Sequence, residues 1–236
     1  MREEIVRKKV LLWRVIICLT FSQAGEAKEE IVEERVTFPV GDITLEGLFW
    51  TPEGTPQIGV VLCHPHPLYG GEMHNNIVSA LTITLQKAGI ATLRFNFRGV
   101  GQSGGSHDQG NGEVEDVRAA VTYLLSRQAV PTVVIAGYSF GSMVGLRAGV
   151  ADARIHKLIG VALPIGFGDP SFLLSSTKPK LLISGDHDNY SPLPSLHTLF
   201  AQLSEPKSLI TINGADHFFW GQEDEVAKAT VGFLGK

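Results

Sequence analysis

The sequence predicts an α/β domain built on a mostly parallel sheet covered on both faces, and three observations carry that reading. Short apolar runs alternate along the chain with amphipathic stretches long enough for helices. The first two runs are joined by Gly41-Asp42, the signature of a tight antiparallel hairpin. At 236 residues and 44% hydrophobic composition, the chain can bury the core of one such domain.

The elements come in order. Val36–Val40 and Ile43–Trp50 form the hairpin, and Pro52 to Pro56 is a turn. Ile58–Cys63 is a continuous apolar strand ending abruptly at His64-Pro65-His66-Pro67. Asn76–Ala88 carries Ile77, Ala80, Leu81 and Leu85 at helical spacing, and Ala91–Phe97 alternates as a strand. A helix runs from Asn111 to Arg127, with Glu113, Glu115 and Asp116 favouring its positive end. Strand Val133–Ala136, a helix after residue 139, strand Lys157–Leu163 and strand Lys180–Ser184 come next. Helix Pro194–Leu203, strand Ser208–Asn213 and helix Glu223–Leu234 complete eight strands. The glycine-rich stretch Arg98 to Gly105 has neither the Lys-Ser/Thr ending of a phosphate-binding loop nor the following helix of a dinucleotide fingerprint, so nucleotide binding is set aside.

Composition narrows the function classes. A formal charge of −4 gives no basic footprint for nucleic acid. Two cysteines, Cys18 and Cys63, supply neither a disulfide framework nor a metal site. Residues 1–24 stand apart: a basic segment, the apolar run Val15–Phe21, and then Ser22-Gln23-Ala24 resemble a secretory signal peptide, too short for a stable membrane span. The competing reading is an inert tail, or an extension added by a misplaced start. The first places the domain, residues 34–236, outside the cytoplasm, and the second leaves it inside.

The most informative stretch is Gly137-Tyr138-Ser139-Phe140-Gly141. A serine between a strand and a helix, with glycine two residues to either side, fits a turn so sharp that side chains at those positions would collide with strand or helix. A serine hydroxyl needs a base, and imidazole suits that work near neutral pH. An acid must then orient the imidazole and support its charge. Of eight histidines, His217 lies where such a base belongs, after the last strand and before the last helix. His187 adjoins the acid candidates, His74 and His107 precede helices, and His156 and His197 read as surface residues. Asp186 and Asp188 both follow strand Lys180–Ser184, and spacing does not choose between them; Asp169 is a weaker third. An oxyanion needs backbone N–H donors. Phe140 offers one, and His66 the other, since Pro65 and Pro67 have none. Tyr69 could add a phenol. His64-x-His66 lacks further ligands at metal spacing, so no metal or cofactor is expected.

On these residues the chain resembles the α/β-hydrolase superfamily. Within it, Cys-His-Pro-His-Pro-Leu-Tyr-Gly-Gly (63–71) and Arg-Phe-Asn-Phe-Arg-Gly-Val-Gly-x-Ser-x-Gly (94–105) resemble compact bacterial hydrolases, similar in turn to dienelactone hydrolases and X-prolyl peptidases. The match runs from about Glu34 to Lys236. It implies Ser139 as nucleophile, His217 as base and Asp188 as acid, the last because the pattern Gly-x-x-Asp reads here as Gly185-Asp186-His187-Asp188. It also implies the His66 and Phe140 amides as the oxyanion hole. Dienelactone hydrolases use cysteine where this chain has Ser139, so their substrate does not carry over. The superfamily's lid commonly lies between the strands that here end at Leu163 and start at Lys180, and about sixteen residues are too few for a folded cap. Phe167, Phe172, Leu173 and Leu174 could form a small apolar flap facing Phe218, Phe219 and Trp220, or pack against the sheet. The expectation is a serine hydrolase acting on a small carboxylic ester without cofactor. The alternatives are an amide or peptide hydrolase of the same fold, or a hydrolase-like binding protein without turnover.

Overall fold

The computed structural model describes residues 31–235; the leader expected at residues 1–24 lies outside them. Eight strands form one sheet: β1 (Glu34–Val40), β2 (Ile43–Trp50), β3 (Ile58–Cys63), β4 (Ala91–Phe95), β5 (Thr132–Tyr138), β6 (Lys157–Val161), β7 (Lys180–Gly185) and β8 (Lys207–Ile212). Five helices accompany them: α1 (Asn76–Lys87), α2 (Asn111–Arg127), α3 (Phe140–Ala151), α4 (Leu193–Gln202) and α5 (Glu223–Leu234). The strand order is β1-β2-β4-β3-β5-β6-β7-β8. β2 pairs antiparallel with β1 and β4, and every pairing from β4 through β3 to β8 is parallel.

Alternation along each strand divides the core into two layers. On β5, Val133 and Ile135 pack with α2, α3 and α4, whereas Val134 and Ala136 pack with α1 and α5. This two-residue period, with both faces buried, is why the strands read as unbroken apolar runs. After β3 the chain moves to one neighbour, β4, and then crosses to the other, β5. That reversal leaves a crevice at the carboxyl ends of β3 and β5, where open parallel sheets bind ligands.

Three strands end earlier than their sequence suggests, β8 by a single residue, at Ile212 rather than Asn213. The expected Ala91–Phe97 stops at Phe95, because the Phe97 N–H turns away to the buried His64 ring, at 3.0 Å. The expected Lys157–Leu163 stops at Val161, because Ala162 takes φ +47°. The glycine-rich loop after β4 is a structural junction. Arg98 forks onto the buried Asp116 carboxylate of α2 at 2.7 to 3.1 Å, and Glu46 accepts N–H groups from Asn96 and Gln102. Among the described residues, no helix is long and apolar enough to cross a membrane.

Candidate active site

Ser139 occupies the hinge between β5 and α3 with φ +53° and ψ −122°, a conformation that costs a non-glycine residue on the order of 1–3 kcal/mol. The flanking glycines make the turn sterically feasible. A Cβ on Gly137 would lie 2.3 Å from the Gly141 carbonyl oxygen. One on Gly141 would lie 2.3 Å from the carbonyl oxygens of both Cys63 and His64, at the end of the neighbouring strand. The elbow is thereby pressed against the end of β3.

Ser139 Oγ lies 2.9 Å from Nε2 of His217, and Nδ1 of the same ring lies 2.8 Å from Oδ2 of Asp188. The other carboxylate oxygen, Oδ1, accepts the N–H groups of Tyr190 at 2.8 Å and Ser191 at 2.9 Å. An ionised carboxylate facing Nδ1 can only accept, so the matching tautomer carries its proton on Nδ1 and leaves Nε2 free to accept from Ser139. Asp186 does something else: its Oδ1 accepts the Gly214 N–H at 2.7 Å and ties the β8–α5 loop to β7. Asp169 accepts from the Ser171 N–H and hydroxyl and stays clear of the imidazole. His187 is exposed beside Asp186.

The two expected oxyanion donors, His66 and Phe140, both line the cleft beside Ser139. The Phe140 N–H opens α3, whose first turn has no side-chain cap. His66 sits between its prolines with its carbonyl accepting from Tyr69 and Gly71, both at 3.0 Å. Among the described residues, neither the His66 nor the Phe140 N–H donates to a protein acceptor. The close fold of this loop requires Gly71, where a Cβ would fall 2.1 Å from the Pro65 carbonyl oxygen.

These groups open into a cleft of about 1320 Å³, walled by loops at the carboxyl ends of the parallel strands. Tyr69 and Phe218 line it, as do Phe167 and Phe172. The expected flap divides: Leu173 and Phe219 are fully buried in the core, while Phe167, Leu174 and Trp220 are exposed. Between β6 and β7, residues 162–179 hold only a single short 3-10 turn, Ser171–Ser175.

Known proteins match both the sequence and this architecture. A family model described as serine aminopeptidase, S33, matches residues 54–170. An uncharacterized protein of Rickettsia prowazekii, RP471, is 36% identical over 186 residues, covering 75% of this chain and 78% of that one. An α/β serine hydrolase homologue from Coxiella burnetii superposes with a TM-score of 0.79 at 34% identity, covering 85% of this chain and 97% of the other. XC6422 from Xanthomonas campestris, described as an α/β serine hydrolase without lid, gives 0.77 at 32% identity, covering 86% and 93%. The chain belongs to the α/β serine hydrolases.

Several residues of this hydrolase's site are not apparent from the sequence. Tyr138 donates its hydroxyl to the His217 carbonyl at 2.9 Å, and burial pushes that phenol well above its ordinary range. The Tyr190 ring lies 4.5 Å from the His217 ring, on the residue whose N–H also holds Asp188. Asp188-Asn189-Tyr190-Ser191 is an Asx-turn pattern, a signal present in the sequence itself. His107, expected as a solvated or capping residue before α2, places Nδ1 2.8 Å from the fully buried Glu113 carboxylate, although the N–H points off line, and packs 4.9 Å from the His66 ring. Burial, then the neighbouring His107, hold His66 below the usual imidazole range.

Proposed function

We propose that the protein hydrolyses small carboxylic esters through an acyl-enzyme on Ser139. The observation that carries this reading is the unbroken hydrogen-bond chain from the Ser139 hydroxyl through His217 to Asp188, at 2.9 and 2.8 Å, at the floor of an uncovered cleft. In the first step Oγ bonds to the carbonyl carbon while its proton passes to Nε2. The carbonyl π pair moves onto oxygen, where the His66 and Phe140 N–H groups, aided by the positive end of α3, receive the developing charge. Collapse breaks the bond to the leaving alkoxide, which takes the proton from Nε2. Water then repeats the sequence, giving up its proton to His217 and releasing the acid as Oγ is reprotonated. Asp188 keeps the imidazole in the tautomer both halves need and supports its transient charge.

An active-site-directed fluorophosphonate tests the nucleophile. It should label the native protein and leave Ser139→Ala unlabelled; a folded protein that resists labelling would favour a binding role without turnover. A second reading, amide or peptide hydrolysis, is favoured by the aminopeptidase description of the matching family model. Parallel assays on an ester and its matching anilide separate the two. Anilide cleavage at comparable kcat/KM would replace the ester assignment.

A further inference from the structure

The elbow helix continues past Ser139, and the face it turns to the cleft changes chemistry along its length. Phe140, Met143, Val144 and Arg147 all line the cavity, the i, i+3, i+4, i+7 stripe of a single helix face. The first three are apolar, and the fourth brings a guanidinium. At 1.5 Å per residue, Arg147 lies about 12 Å along the helix axis from Ser139, and helical side chains lean back toward the N-terminus, which brings the charge nearer still. Walls on either side make this stripe a trough. Met143 abuts Gly168, where a Cβ would lie 3.0 Å from the methionine Cε, and Val144 abuts Gly110, where one would lie 3.5 Å from a valine methyl. Phe172 lines the same cleft from the β6–β7 connection.

Arg147 forms no ion pair with any carboxylate among the described residues, unlike Arg94, Arg98, Arg118, Arg127 and Arg154, each of which has one. Asp169 also lines the cleft, beside Gly168, but its carboxylate is occupied by the Ser171 N–H at 2.9 Å and hydroxyl at 2.8 Å. The trough therefore starts at a nucleophile, runs over apolar side chains, and ends at an unmatched cation.

We propose that Arg147 terminates an acyl subsite and that this site prefers half-esters of dicarboxylic acids: an ester carbonyl at Ser139, an apolar spacer over Phe140, Met143 and Val144, and a free carboxylate at the guanidinium. The inference rests on the serine-hydrolase reading of the same site. A guanidinium can hold a carboxylate through two parallel N–H bonds, but this one is exposed, so the gain is modest and sensitive to salt.

The test compares p-nitrophenyl half-esters of linear diacids, from succinate to sebacate, with the same compounds capped as ω-methyl esters. For the native protein at low salt, kcat/KM for the free acid should exceed that for the capped ester about two- to fivefold at adipate to suberate length. The ratio should fall toward one in high salt and in Arg147→Gln, recover in part in Arg147→Lys, and rise in Asp169→Asn, which removes a neighbouring negative charge while keeping an acceptor for Ser171. Because each value is a ratio measured on one protein sample, partial misfolding cancels. A native ratio at or below one across the series, or a ratio unmoved by Arg147→Gln, overturns the subsite. If that happens while Ser139 is still labelled and the capped esters still turn over, the serine-hydrolase reading survives. Loss of labelling together with loss of all ester turnover overturns both.

Discussion

Two histidines at the carboxyl edge of the sheet, His64 after β3 and His217 after β8, are buried to nearly the same degree, at 0% and 7% exposure. Their partners differ in kind. His64 gives both nitrogens to the backbone: Nε2 accepts the Phe97 N–H at 3.0 Å, and Nδ1–H donates to the Pro65 carbonyl at 2.7 Å. That arrangement fixes one neutral tautomer, and burial holds the ring's pKa down to about 4. His217 gives its nitrogens to a carboxylate and a hydroxyl, so a proton arriving at Nε2 meets support from Asp188. Burial alone therefore does not make a histidine a base; the partners on its far side decide whether it can carry a charge. His64 acts as a brace, tying the start of the His66 loop to the end of β4.

The comparison breaks most sharply at His217. His217→Ala should lower kcat roughly a millionfold, the scale for losing one member of a unit that acts together, with little change in thermal melting. Pre-steady-state ester kinetics beside a melting curve would show it, and retained turnover would leave His217 no different from His64. Next comes the acid. Asp188→Asn should cost about 10⁴ in kcat by stranding the wrong tautomer, whereas Asp186→Asn, which disturbs only a loop tie, should stay within about tenfold. Equal losses would mean that proximity to the strand end, rather than contact with the ring, sets the role.

His64→Ala should act on stability instead. Leaving buried backbone groups unpaired around a small cavity costs about 3 kcal/mol, readable as a lower urea midpoint. The gentlest probe is pH. The unfolded His64 ring binds its proton near 6.5 and the folded one only near 4, so the unfolded chain takes up more protons in between. Its stabilising contribution is whole above pH 6.5 and declines as pH falls toward 4, by about 1 kcal/mol one unit below 6.5. Urea titrations across that window should show this slope in the native protein and a weaker one in His64→Ala.

Much of the fold is legible in the sequence for local reasons. The Gly41-Asp42 hairpin, α2 from Asn111 to Arg127 and α5 from Glu223 to Leu234 are set by turn chemistry and periodicity within each segment. The elbow is legible because its pattern is compact: Gly137 answers to the Gly141 carbonyl four residues on, although the demand on Gly141 comes from the carbonyls of Cys63 and His64. The features that stay hidden depend on partners remote in sequence. β4 ends early because of a histidine 33 residues away. Asp186 and Asp188 are told apart by remote partners, the loop at Gly214 for one and the ring of His217 for the other. Tyr138 reads only as the variable residue before the elbow serine until its hydroxyl meets a carbonyl 79 residues on.

The brevity of the segment between β6 and β7 bears on the fate of an acylated serine. Residues 162–179 line one wall of the cleft but form no folded cap over it, so an acyl group attached to Ser139 would lie in a cleft that water can enter as soon as it formed. Water, at overwhelming concentration, would outcompete other acceptors, biasing such a catalyst toward cleavage over transacylation. Its tempo would then be set by bond making and breaking, with no gate to wait for.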